Sequence, residues 1–303
     1  MLYVTTRDEL TTYTSERAMR ERRAPDGGLY IPYRVPRLSA EDLSALRQME
    51  FFDRVLMIAR RFLRLSDRLL DRAVRAVRLY DLGNRITVCQ TFRGEDGLWI
   101  RAEDPDGQMF FDGCTDAVWL RMSIRIGTMA SAVLDAVSGK GKADLSVVAG
   151  DMFDPMSAYL VREMGFPVGE ILCCCNENCG FWELLHHGEL RTDRCAVLTG
   201  IPAADIAVPD GLECVIALCC GRDEVKNYLE AVRAGRPYVP GAEELALLRS
   251  LFRSAVVTRS GRIRGPYLAP GVPADPCTAL ALAGLMDYRA GHGLVRPGLV
   301  IPQ

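Results

Sequence analysis

The stretch ADLSVVAGDMFDPMSAYLVREMGFP, residues 143–167, constrains the fold more than any other. Leu145, Val147 and Val148 lie in a short apolar run that ends at Ala149-Gly150, the pattern of a strand buried on both faces of a parallel sheet. Gly150-Asp151-Met152-Phe153-Asp154 reads as a tight turn. The residues from Pro155 to Met164 read as a helix, with Pro155 in its first turn, Asp154 as its N-cap and Gly165 closing it. Strand, glycine turn and helix N-terminus together make the corner at which open α/β sheets hold anions and cofactors. Here the turn carries two carboxylates, Asp151 and Asp154, which repel a phosphate. Architecture and chemistry therefore point in opposite directions.

A chain of 303 residues has room for one large or two medium domains. A net charge of -2 gives no electrostatic footprint for nucleic acid. No apolar run reaches membrane-spanning length, and MLYVTTRDEL lacks the basic and apolar regions of a signal peptide, so a cytoplasmic location is expected. The 11 Cys are odd in number and several sit in apolar runs such as CVIALCC at 214–220, so reduced, buried thiols are expected rather than a disulfide framework.

Along the chain, a strand over Leu2 to Val4 precedes a helix capped by Thr14 or Ser15. A Pro/Gly turn and short strand follow at 24–32, and SAED at 39–42 is a capping box. Residues 50–80 carry apolar side chains near helical spacing, with arginines and aspartates between them, as on a solvated helix face. Strands are predicted at 76–80 and 86–90, a Gly/Asp-rich loop at 92–113, and a helix at 116–136. Val168 to Cys175 is a second parallel strand, followed by helices at 180–188, 222–235, 243–252 and 275–289. Leu212 to Leu218 fits helix or strand, and the end from Leu294 to Pro302 is extended. Alternating β and α elements predict a three-layer α/β fold.

Several groups bear on function. Asn176, Glu177 and Asn178 end a strand at the edge where α/β folds place ligands, although such a triplet also serves as a plain strand-ending turn. Arg93, Glu95, Asp96 and Arg101 either line a pocket or decorate a solvated loop. Asp144, Asp151 and Asp154 have carboxylates for a metal but match no calcium-loop pattern. CCCNENC at 173–179, with His186 and His187 beyond, suggests zinc or a Cys–His nucleophile. Successive residues of a strand face opposite ways, however, so Cys173, Cys174 and Cys175 cannot all reach one ion. His292, in AGHG, has no visible partner.

Several passages, in order, resemble threonine synthase, a pyridoxal-phosphate enzyme of the tryptophan-synthase β fold (fold type II). They are YVTTRDE and SERAMRERRAPDGGLYIP at 3–32, AVRLYDLGNRITVCQTFRG at 76–94, and VVAGDMFDPMSAYLVREMGFPV at 147–168. ILCCCNEN at 171–178, ADIAVPDGLE at 204–213 and DPCTALALAG at 275–284 complete the set. The resemblance implies that family's three-layer parallel-sheet core. It also implies a division into an N-terminal region (1–91), a loop replacing the lysine segment and small mobile domain (92–121), and a large α/β domain (122–303).

Departures from the pattern carry the functional expectation. With Phe92-Arg93-Gly94 set on the family's FHG, Ile100 falls on the lysine that forms the Schiff base with the cofactor, and isoleucine has no amine. On the family's GNFG phosphate loop stand Gly150, Asp151, Met152 and Phe153. The small domain is not recognisable, and Cys277 replaces the histidine of DPHTA. The expectation is a catalytically inactive relative with no covalently bound pyridoxal phosphate and no metal. Its residual ligand pocket would comprise Arg93, Gly94, Gly150, Asp151, Asn176, Glu177 and Asn178. Expected partners are a small amino-acid-like or anionic ligand and a second copy or another protein, but neither nucleic acid nor membrane. The competing expectation is an enzyme. It would be either a divergent pyridoxal-phosphate lyase or synthase recruiting a lysine such as Lys140, or a cofactor-independent enzyme using Asp151, Glu177 or a cysteine on an amino-acid-like molecule.

Overall fold

The computed structural model describes residues 1–64, 78–81, 86–90, 118–139, 141–258, 276–293 and 296–301. The chain opens with a three-stranded antiparallel sheet of order β2-β1-β3, made from β1 (Leu2–Thr5), β2 (Tyr13–Thr14) and β3 (Tyr30–Pro32). Between β2 and β3, helix α1 (Ser15–Arg20) starts at Thr14, whose hydroxyl accepts from the Arg17 N–H. Helix α2 (Ala40–Arg47) begins with the reciprocal Ser39–Asp42 capping box expected from SAED, and α3 (Phe51–Ala59) follows.

The main sheet has order β4-β5-β9-β6-β7-β8. Its strands are β4 (Arg78–Asp81), β5 (Ile86–Gln90), β6 (Ala143–Val148), β7 (Val168–Cys175), β8 (Arg253–Val256) and β9 (Gly298–Ile301). From β5 to β8 all pairings are parallel, and β4 is an antiparallel edge. The C-terminal strand β9 inserts between β5 and β6, so the end of the chain completes the sheet's centre.

Two apolar layers flank this sheet. Leu145, Val147, Cys173 and Cys175 face one layer, with α4 (Val118–Ala136), α5 (Phe153–Glu163) and α7 (Leu212–Cys219). Val148, Leu172, Cys174 and Val300 face the other, covered by α10 (Pro276–His292). The alternation of Cys173, Cys174 and Cys175 between layers is the period-two geometry of a strand. Helices α6 (Gly180–His187), α8 (Arg222–Ala234) and α9 (Ala242–Leu251) complete the chain, and Leu212–Cys219 resolves as helix. Most predicted elements coincide with observed ones within a few residues, but β2 and β8 were not predicted, the helical stretch expected at 50–80 is helix over Phe51–Ala59, and residues 65–77 and the 92–113 loop lie outside the described residues. The three-layer parallel-sheet expectation holds.

Helix α4 is the long spine, buried on nearly every face. Its Gly127 lies against the Val55 carbonyl of α3, where any Cβ would clash. Arg47 caps its far end with bonds of 2.8 Å to the carbonyls of Leu134 and Val137. Near its start, Trp119 donates to the Tyr30 carbonyl at 2.9 Å and meets Tyr3 edge-on at 4.8 Å, docking the N-terminal sheet onto the spine. No described helix is long and apolar enough to cross a membrane.

Candidate functional site at the carboxyl edge of the sheet

In a parallel sheet all strands end at one edge. Gly150, after β6, and Asn176, after β7, therefore lie side by side at the carboxyl edge where ligands of such folds bind. Asp144, at the start of β6, lies at the opposite edge, so the structure separates it from Asp151 and Asp154.

The corner after β6 differs from the predicted turn. Helix α5 begins at Phe153, two residues before Pro155, and Met152 holds the N-cap position with a left-handed φ of 68°. Asp154 is therefore inside the first turn rather than at the cap. Phe153 N–H donates at 3.0 Å to the carboxylate of Asp151, and the other Asp151 oxygen accepts from Arg121 at 2.7 Å. Asp154 is buried and pairs at 3.1 Å with Arg125, equally buried. Burial outweighs the attraction of Arg125 and pushes the Asp154 carboxyl up to about 6. Arg121 and Arg125 stand four apart on α4, so one helix face carries both cations to the corner.

Above the turn, the backbone of 203–204 fills the space beside Gly150: a Cβ there would overlap the Ala203 carbonyl oxygen. Gly211 donates its N–H to the Asp151 carbonyl at 2.9 Å. Segment 199–211 thus lies directly on the corner.

The same segment holds the Asn-Glu-Asn turn. Asn176 donates to Thr199 Oγ1 at 2.9 Å and to Asp205 at 2.7 Å, and its own oxygen accepts from the Asn178 N–H at 2.9 Å. Asn178 exchanges two bonds with the Val197 backbone, 2.8 Å to the N–H and 2.9 Å to the carbonyl. Asp205 also accepts from Thr199 N–H at 2.8 Å. Both asparagines are buried and spend their amide groups on the chain itself.

The remaining candidates lie elsewhere. Arg93, Gly94, Glu95, Asp96, Ile100, Arg101 and Lys140 fall outside the described residues. The nine cysteines whose side chains are described are free thiols. Among the described residues no three metal-binding side chains gather. His186 stacks on Trp182 at 4.3 Å and His292 on Tyr288 at 4.2 Å, both in exposed positions on single helices. Sequence reasoning missed Arg121, Arg125, Asp205, Ala203 and Gly211 as parts of this edge. The i,i+4 arginines on the predicted helix were the available signal for the first two.

The group implied by the resemblance is pyridoxal phosphate. Its phosphate would need backbone N–H groups of the turn and open space beside them. The Phe153 N–H is already taken by Asp151, which supplies the negative charge itself, and the space beside Gly150 holds the Ala203 carbonyl. The described residues do not fit the phosphate.

The three-layer parallel sheet, with its glycine corner between β6 and α5, has the fold of the pyridoxal-phosphate-dependent, tryptophan-synthase β-like class. Within that class the chain is threonine-synthase-like. Residues 2–77 match the family model described as the threonine synthase N terminus. The fold is shared with the pyridoxal-phosphate-bound threonine synthase of Brucella melitensis, at a TM-score of 0.82 and 18% identity, over 100% of this chain and 88% of that one. It is also shared with the threonine synthase of yeast, at a TM-score of 0.77 and 14% identity, over 99% of this chain and 86% of that one. The threonine synthase of Pseudomonas aeruginosa is 26% identical over 179 residues, which cover 56% of this chain. That match covers only 37% of the Pseudomonas enzyme's length.

Proposed function

We propose that the chain is a catalytically silent threonine-synthase-like protein, one that works by binding or by supporting a partner rather than by pyridoxal-phosphate chemistry. The observation that carries this reading is the closed corner. Asp151 occupies the anion position with its own carboxylate, held at once by Phe153 N–H and by Arg121. A phosphate arriving there meets a charge of its own sign and a covered turn.

The lysine inventory supports the same reading. The chain has three lysines, at 140, 142 and 226. Lys226 is exposed and pairs with Asp223 at 2.8 Å. Lys142 is exposed and immediately precedes β6, a strand's length of about 20 Å from the corner that follows it. With Phe92-Arg93-Gly94 set on the family's FHG, Ile100 takes the place of the Schiff-base lysine. A chain lacking the small mobile domain would need its exposed surface covered, and a homodimer or a protein partner meets that need.

Titration with pyridoxal phosphate tests the proposal. No internal-aldimine absorbance and no threonine formation are expected. A Schiff-base band that Lys140→Ala abolishes would establish the divergent-enzyme alternative instead.

A further inference from the structure

Met152 adopts a left-handed backbone conformation that side-chain-bearing residues disfavour, so its turn must be held from outside. The structure shows what holds it. Gly211 sits on the turn so closely that a Cβ would overlap the Asp151 carbonyl oxygen and crowd the Met152 carbonyl carbon. Its N–H donates to that same oxygen.

Gly211 is itself gripped from both sides by the N-terminal module. Two residues on, Glu213 is 3% exposed and gathers three residues of that module: Thr6 Oγ1 at 2.5 Å, Arg7 at 3.0 and 3.2 Å, and Arg23 at 3.6 Å. One residue before, Asp210 takes Arg22 at 2.7 Å and Arg23 at 3.1 Å. Arg7 and Thr6 follow β1 directly, and Thr6 is tied to the β-sheet through Leu29, accepting from its N–H at 3.0 Å. A buried carboxylate with charge-assisted bonds to several donors is a stiff joint.

We infer that Glu213 is a positioning residue that couples the N-terminal sheet to the β6–α5 corner, so that the closed conformation of Asp151-Met152 is imposed by the N-terminal module through Gly211. Whatever shifts that module shifts the corner, and coupling of this kind is reciprocal. The inference does not depend on whether the corner binds a ligand.

Amide hydrogen exchange on the full chain tests it. Glu213→Gln keeps the shape and removes the charge. Exchange at Asp151, Met152 and Phe153 should rise by about tenfold, the scale set by one lost charge-assisted hydrogen bond. The amides of β9 should not change, and neither should the corner in Arg17→Ala, which breaks an exposed pair in the same module. Gly211→Ala probes the joint from the other side, without touching a charge, and should also loosen the Thr6 and Leu29 amides. Unchanged corner exchange in a folded Glu213→Gln protein would overturn the coupling. If that variant does not fold, a Gly211→Ala effect confined to the corner would overturn it.

Discussion

At the scale of single residues, a few groups at one sheet edge close the β6–α5 corner. The Asp151 carboxylate is held by the Phe153 N–H and by Arg121, and the Ala203 carbonyl lies against Gly150. Gly150→Ala should therefore destabilise the chain by about 1–3 kcal/mol, because its Cβ meets backbone rather than a movable side chain. Denaturant unfolding measures this, and a neutral substitution would show that segment 199–211 yields freely. Asn178→Ala removes both bonds to the Val197 backbone and should cost about 1–3 kcal/mol. It should also expose the run around Val197 and Leu198 to proteolysis. Thiol chemistry divides along the same lines. Cys195 is exposed, whereas burial pushes the thiols of Cys173, Cys175 and Cys214 up and holds Cys174 at about 12. Alkylation followed by mass spectrometry should modify Cys195 at least about 100-fold faster than Cys173, Cys174 or Cys175. Comparable rates would mean that β7 opens in solution.

At the scale of elements, the paired helices α4 and α5 carry the pH response. Asp154 has a folded value of about 6 against an ordinary 3.8, so folding favours its protonated form. Its contribution to stability is fully present below 3.8 and is lost as the pH rises through about 6. Relative to Asp154→Asn, which has no such dependence, the chain should gain stability as the pH falls from 7 to 3.8. Unfolding free energies of both proteins across that range measure the gap, and a gap that stays constant or narrows would contradict the burial argument. Most elements were readable from the residues, although the short strands β2 and β8 were not, and Leu212–Cys219 fitted helix or strand. The apolar run at 145–148, the SAED box and the Pro/Gly boundaries gave β6, α2 and most helix ends. The start of α5 was not readable, because Pro155 fits the first turn and nothing in the local sequence announces a left-handed Met152. That conformation depends on Gly211, about 60 residues downstream. The Asn-Glu-Asn turn follows β7 at the carboxyl edge of the sheet, as its sequence suggests. Its engagement by Thr199, Val197 and Asp205 is tertiary and leaves no periodic trace.

At the scale of the whole molecule, a fold shared with threonine synthases has its β6–α5 corner packed from within by segment 199–211. Residues 2–77 match the threonine synthase N terminus, and the fold is shared with solved threonine synthases. The N-terminal sheet, α4, segment 199–211 and the corner form one connected unit, through Trp119, Glu213, Gly211 and Asp151. The most direct test is borohydride reduction of the folded chain after incubation with pyridoxal phosphate, read by intact mass and peptide mapping. The account predicts no stoichiometric adduct, and only scattered, substoichiometric labelling of exposed lysines such as Lys142 and Lys226. One equivalent of cofactor fixed at a single lysine, with the Arg121–Asp151 corner protected by its presence, would contradict it.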